Sequence, residues 1–362
     1  MKKILVSLVS DQAIPNLLMI KELTEIDSYL FISTKAMEDK NKSENLINAA
    51  QINNMNLCKT IRVNQNSFSD IQSELKKLDF DDDDQFFVNI TGGNKMMALS
   101  VYEYFRQRKN QVFYIPIREN SYMTIFPQDK TGETPINYRL TIDEYLKSYG
   151  INYNSERREI TPSYQTEQFF EYYKSNYEDL KPYLNILRKS RNKKNIKQSD
   201  HPKLFEFIKT TPFKPQKNDS LSKYEIRYLS GEWLEEFIYN KINNWKEFGN
   251  EYLKQNVYIE IKGANNQFDV IAMLDNTLYL FECKTGVYDS TTNKNILGET
   301  LYKISALKQS FGLTPKSRII TLSQKDISII DHHLKRANAL DIEIFDRSML
   351  INDFKAESLF ES

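Results

Sequence analysis

The chain has 362 residues, 40% of them hydrophobic, with 49 Lys and Arg against 49 Asp and Glu, so its formal net charge is zero. That length has room for two folded units, and the charge balance leaves only local clustering, not the total, as an argument for nucleic acid. Two cysteines, Cys58 and Cys283, and three histidines exclude a disulfide scaffold and a histidine-rich metal centre.

The start, MKKILVSLVSDQ, has the lysines of a signal peptide, but Ser7, Ser10 and Asp11 interrupt a short apolar run. No segment approaches 18 apolar residues, so no membrane span is expected, and a reduced, cytoplasmic protein is. Residues 1–148 then alternate strand and helix. ILVSLVS, YLFISTK, LCKTIRV, QFFVNI and QVFYIPI read as strands. NLLMIKELTEI, MEDKNKSENLINAAQI, FSDIQSELKKL and KMMALSVYEYFRQR read as the helices between them. This order predicts a parallel, doubly wound sheet of Rossmann type.

Ligands of such sheets sit beyond the strand C-terminal ends. Polar groups gather there: Ser10, Asp11 and Gln12 after the first strand, Thr34 and Lys35 after the second, and Thr91, Gly92, Gly93, Asn94 and Lys95 after the fourth. Glycines let backbone N–H groups approach an anion, and a helix N-terminus attracts one. A Gly-Gly turn alone is as well explained by helix packing. Three polar strand ends in register predict a pocket.

Residues 149–222 change character, with Pro162, a Tyr-rich helical stretch from Thr166 to Arg191, and then RKSRNKKNIK. Between Arg188 and Lys217 ten Lys or Arg stand against Asp200 and Glu206. The plain reading is a solvated helical linker; the other is a surface for phosphates.

A second α/β unit, residues 223–362, runs as follows: helix GEWLEEFIYNKI, strands NVYIEIKG, FDVIAML and LYLFECK, helix TLYKISALKQSF, strand RIITLS, helix SIIDHHLKRANAL and strand IEIFD. If Asp275 and Asn276 form a two-residue turn, Leu274 pairs with Thr277 and Asp269 stands opposite Glu282. Opposed side chains lie roughly 4.5–5.5 Å apart at Cβ. Two carboxylates so close repel unless something positive holds them. Asp269 and Glu282, with the backbone carbonyl of Cys283, suit Mg²⁺ or Mn²⁺. Lys284, on the same face as Glu282, would orient a water or stabilise charge at phosphorus. Glu235 or Glu236, on the preceding helix, would complete the metal sphere or accept a proton.

The constellation Asp269…Glu282-Cys283-Lys284 behind a helical Glu resembles the PD-(D/E)XK restriction-endonuclease-like superfamily, although Phe268 replaces its proline. The resemblance implies that Asp269 and Glu282 bind metal and that Lys284 is catalytic. Glu235 is chosen as the helical acid because it lies four residues after Gly231. LVSDQAIPN, ISTK and NITGGNKMMAL resemble CARF domains, the sensors of cyclic oligoadenylates in type III CRISPR immunity. Together the two modules look like ancillary nucleases of the Card and Can type. What this implies is a homodimer with one cyclic tetra-adenylate in a shared pocket lined by Ser10, Gln12, Thr34, Lys35 and Thr91 to Lys95, activating cleavage of a nucleic-acid substrate. An unregulated restriction or repair nuclease and a non-enzymatic CARF regulator are the alternatives. DNA and RNA are not distinguished.

Overall fold

Strand β1 (Lys3–Leu8) is buried along nearly its whole length, as a strand covered by helices on both faces must be. It lies at the centre of a sheet with β2 (Ser28–Ser33), β3 (Cys58–Arg62), β4 (Gln85–Asn89) and β5 (Asn110–Tyr114). These five are parallel in the order β3-β2-β1-β4-β5. The connecting helices are α1 (Ile14–Glu22), α2 (Lys35–Glu38), α3 (Lys42–Ala50), α4 (Phe68–Lys76) and α5 (Lys95–Phe105). The single helix expected over residues 37–52 is divided, with Asn41 in the left-handed region at φ 54° between α2 and α3. The computed structural model describes residues 1–117, 119–156, 163–261, 263–286, 288–289, 294–323, 331–352 and 354–361. Pro162 and the first residues of the helix expected over SIIDHHLKRANAL lie outside them.

Two strands that the sequence did not suggest, β6 (Ser121–Phe126) and β7 (Gly132–Pro135), extend this sheet in antiparallel fashion to seven strands. The short, exposed β7 begins with Gly and ends with Pro, a composition confined to sheet edges. Helix α6 (Ile142–Ser148) follows, started by a capping box between Thr141 and Glu144.

The next segment is more structured than a linker. It contains β8 (Tyr153–Ser155), α7 (Ser163–Ser175), α8 (Tyr177–Lys189), β9 (Asn195–Lys197), α9 (Pro202–Thr210) and β10 (Ser220–Ser222). After it come α10 (Lys223–Arg227), α11 (Trp233–Lys246), β11 (Leu253–Ile261), β12 (Ala264–Leu274) and β13 (Thr277–Lys284). The short β14 (Tyr288–Asp289) and β15 (Lys294–Asn295) precede α12 (Ile296–Lys308), β16 (Lys316–Thr321) and β17 (Ile342–Phe345). The second sheet has the order β17-β16-β13-β12-β11-β8, so the presumed linker supplies its edge strand. Its β11–β12–β13 part is antiparallel and its β13–β16–β17 part parallel.

One face of this sheet packs Val270 and Phe281 against Phe170, Trp233 and Phe237 of α7 and α11. On the other face Ile259, Phe268, Ile271 and Leu280 share one apolar cluster with Leu17, Phe31, Tyr145 and Leu146 of the first unit. The two units are therefore joined by a common core. Among the described residues no helix is long and apolar enough to cross a membrane.

Candidate functional site

The Asp275–Asn276 turn has both residues at positive φ, 48° and 59°, as a two-residue hairpin of the favoured hand requires. Leu274 pairs with Thr277 and the ladder runs back to Val270 opposite Phe281, the register that the turn dictates. One step further, the Asp269 carboxylate takes up the chain's hydrogen bonding: its Oδ2 accepts from the Cys283 backbone N–H at 2.7 Å. The same oxygen accepts from Lys284 Nζ at 3.1 Å, and Lys284 Nζ also donates to Glu282 Oε2 at 3.0 Å. The ammonium thus bridges the two acids.

A cavity of about 600 Å³ opens over this point, and Glu235, Asp269, Glu282, Cys283 and Lys284 all line it. Glu235, Asp269 and Glu282 are 6%, 5% and 2% exposed. Glu236, the other helical candidate, is not among the residues lining this cavity; it faces a smaller one that also touches Glu235. Burial, and then the charge of Asp269, push the Glu235 carboxyl well above the ordinary range. The same two causes raise Glu282, against the opposing pull of Lys284 and Lys303. Burial works against the charge on Lys284, but Asp269, Glu282 and Glu235 outweigh it and hold its pKa above the ordinary lysine value.

Crowded acids of this kind fit a divalent cation, which would relieve the repulsion that raises Glu235 and Glu282. Among the described residues no three His, Cys, Asp or Glu side chains form a metal-binding group. Asp269 and Glu282 are the acids here that could hold such an ion, with main-chain and water oxygens completing its sphere.

Lys303 was not foreseen. From α12 its Nζ donates to Glu282 Oε1 at 2.6 Å and to the Gln267 carbonyl at 2.6 Å. The available signal was a lysine in register with Ile296, Thr300 and Leu307, on the inward stripe of an amphipathic helix.

At the other end of the hairpin, a cavity of about 320 Å³ lies at the C-terminal ends of β1 and β4. There β1 has β2 on one side and β4 on the other, the point where the strand order reverses. Ser10, Asp11, Gln12, Thr91, Gly92 and Gly93 line it; Thr34, Lys35, Asn94 and Lys95 do not. Gly92 is required there, because a Cβ would press into the Leu8 carbonyl. Several expected ligand groups already hold the fold. Thr34 Oγ1 caps α2 by accepting from Met37 N, and Asn94 Oδ1 caps α5 by accepting from Met97 N at 2.9 Å. Thr91 Oγ1 donates to Asn89 Oδ1 and accepts from Ile115 N.

The second unit completes this cavity with Asp275, Asn276, Thr277, Leu313 and Thr314. Asn276 Oδ1 accepts from Leu140 N at 2.8 Å, and its Nδ2 donates to Asn120 Oδ1 at 2.9 Å and the Tyr138 carbonyl at 3.0 Å. Gln12 Oε1 accepts from Leu313 N at 3.0 Å. One hairpin therefore has its turn at the first cavity and its acids at the second, about 20 Å away at about 3.3 Å per residue.

Residues 4–145 match the family model of the Card1 CARF domain, and residues 222–354 match that of the Card1-like endonuclease domain. Can2 from Sulfobacillus thermosulfidooxidans, solved in complex with cyclic tetra-adenylate, superposes with a TM-score of 0.79 at 19% identity, covering 99% of this chain and 100% of that one. Protein VC1899 from Vibrio cholerae gives a TM-score of 0.78 at 19% identity, covering 99% and 97%. A type III CRISPR defence DNA nuclease activated by cyclic oligoadenylate gives 0.50 at 14% identity, over 88% of this chain and 45% of that one. No curated protein matches the chain. At these identities the likeness to solved structures speaks for the fold, while the two family models, in this order and covering most of the sequence, speak for kinship. The chain belongs to the Card1-like family, joining a Card1 CARF domain over residues 4–145 to a Card1-like endonuclease domain over residues 222–354.

Proposed function

We propose that this protein is a cytoplasmic, cyclic-oligoadenylate-activated and metal-dependent endonuclease whose catalytic unit is of the PD-(D/E)XK kind. The observation that carries the reading is Lys284 Nζ bridging Asp269 and Glu282 in the lining of a cavity of about 600 Å³. Asp269, Glu282 and the Cys283 carbonyl would hold Mg²⁺ or Mn²⁺, which when bound polarises a phosphodiester and lowers the pKa of water. Lys284 would donate to the oxygen on which negative charge develops. Lys303 would keep Glu282 aimed at the site, and Glu235 would receive a proton or anchor water.

The activator would enter the strand-end cavity, and cyclic tetra-adenylate is the first candidate because the related Can2 structure carries it. Met96 and Leu99, exposed on α5 next to the Gly92–Gly93 turn, offer an apolar face to a second copy and support a homodimer sharing one symmetric ligand. Direct docking of the Asp275–Asn276 turn supports a signal route along the hairpin, shorter than one through residues 149–222.

The test is cleavage of single-stranded and duplex DNA and RNA with Mg²⁺ or Mn²⁺, with and without cyclic tetra-adenylate. Glu282→Ala and Lys284→Ala are expected to lower cleavage by about 100-fold or more while leaving activator affinity unchanged. Wild-type turnover by Glu282→Ala would place the chemistry elsewhere.

A further inference from the structure

Helix α8 belongs to the segment that looked like a linker, yet Arg188, Lys189 and Arg191 line the same cavity as Asp269, Glu282 and Lys284. Arg188 is the distinctive one. Its Nη2 donates to Thr285 Oγ1 at 3.0 Å, and Thr285 Oγ1 donates in turn to the Ser230 carbonyl at 3.0 Å. Arg188 is thereby fixed one residue beyond Lys284. Two glycines leave it room: a Cβ on Gly286 would stand 2.8 Å from Arg188 Nη2, and one on Gly231 would stand 3.3 Å from Thr285 Oγ1.

Arg191 spends its charge on Glu232, 3.3 Å away, and Lys189 is exposed. Arg188 is half-buried and forms no ion pair with a carboxylate among the described side chains. A partly desolvated guanidinium without an acid is costly unless an anion completes it. Its planar fork of donors matches phosphate oxygens better than an ammonium does.

We propose that Arg188 is a substrate-binding residue that grips a phosphate neighbouring the scissile one, so that the segment between the two domains supplies part of the nuclease site. The proposal rests on the nuclease reading above. It places the substrate backbone across the end of β13, with Lys284 at the reacting phosphate and Arg188 at the next.

The test uses the full chain carrying Glu282→Gln, expected to bind without cleaving, with cyclic tetra-adenylate present. Fluorescein-labelled 20-mer oligonucleotides, as single-stranded DNA, duplex DNA and RNA, are titrated at several salt concentrations. Adding Arg188→Met should weaken binding about tenfold at 0.1 M salt and make the slope of log K against log salt shallower by about 0.7–0.9, the loss of one phosphate contact. In the cleaving enzyme the same change should raise KM more than it lowers kcat. Gly286→Ala, which displaces the guanidinium without removing it, should act in the same direction, and Arg188→Lys should restore the salt slope but only part of the affinity. Activator Kd should not move in any of them. Unchanged salt slope and KM in both Arg188→Met and Gly286→Ala, with only a lowered melting temperature, would reduce Arg188 to a staple between α8 and β13 and overturn the proposal. Wild-type cleavage in that same experiment would leave the nuclease reading standing. A Glu282→Gln parent that binds no oligonucleotide, together with a wild type that cuts none, would overturn both.

Discussion

Burial pulls the pKa of Lys284 down, but three acids around one cavity hold it above the ordinary lysine value. That opposition made the centre readable in sequence, because a Glu and a Lys at the end of an apolar strand are too costly to be incidental. Lys303 escaped notice because its partner Glu282 is 21 residues away and contact depends on how α12 lies over the sheet. Lys303→Ala should lower activity or metal affinity about 10- to 100-fold by freeing Glu282 Oε1, the usual cost of losing a group that orients a ligand. Unaltered metal titration and turnover would show that Glu282 needs no such support. Glu235 gives a prediction with a sign. Its folded pKa is raised by burial and by Asp269, so below the ordinary value of 4.5 both folded and unfolded states hold the proton. Stability is then lost as pH climbs from that value through the folded one, since the unfolded chain releases its proton first. In EDTA-treated protein, Glu235→Gln should therefore melt at nearly the wild-type temperature near pH 4.5 and above it at pH 8. Parallel melting profiles across that range would contradict a raised Glu235.

The hairpin β12–β13 was legible as an element because an Asp-Asn turn fixes the register, and a register fixes which side chains meet. The parallel five-strand order was legible from alternating strand and helix patterns. Strands β7 and β8 were not, since short strands at a sheet edge have no apolar face to announce them; β6 was hidden because it buries Ser121 and Thr124 and exposes Met123 and Ile125. Nor was the reach of α8, whose Tyr and basic residues look solvent-bound until α11 and β13 are in place. The turn makes a prediction at this scale. Asn276→Gly retains the positive φ but removes three hydrogen bonds to the CARF domain, leaving the buried Leu140 N–H without its acceptor. A loss of about 1–3 kcal/mol in stability is expected from that one unsatisfied group. If the hairpin carries the signal, activation at saturating ligand should fall, whatever the change in activator affinity. Full activation in a destabilised Asn276→Gly protein would direct the coupling through other contacts.

At the scale of the molecule, two sheets share one apolar cluster and one cavity, so a ligand bound at the β1 and β4 ends would touch both domains. The sequence conveyed a CARF unit and an endonuclease unit, through motifs that are local. It did not convey that they touch, because the contacts are made by Gln12, Asn120 and the loop at Leu313, residues ordinary in any pattern. Activation requires that the ligand bind the active arrangement more tightly; a thousandfold effect needs about 4 kcal/mol of differential binding. The central claim, control of the distal acids by a nucleotide at the strand ends, is tested most directly by one measurement. Initial cleavage rates of wild-type protein are compared with and without saturating cyclic tetra-adenylate, at fixed Mg²⁺ or Mn²⁺, on the mixed DNA and RNA panel, with Glu282→Ala as the blank. The account predicts activator-dependent cleavage of at least one substrate, absent from Glu282→Ala and abolished by EDTA. Equal rates with and without the activator, or cleavage that persists in Glu282→Ala, would contradict it.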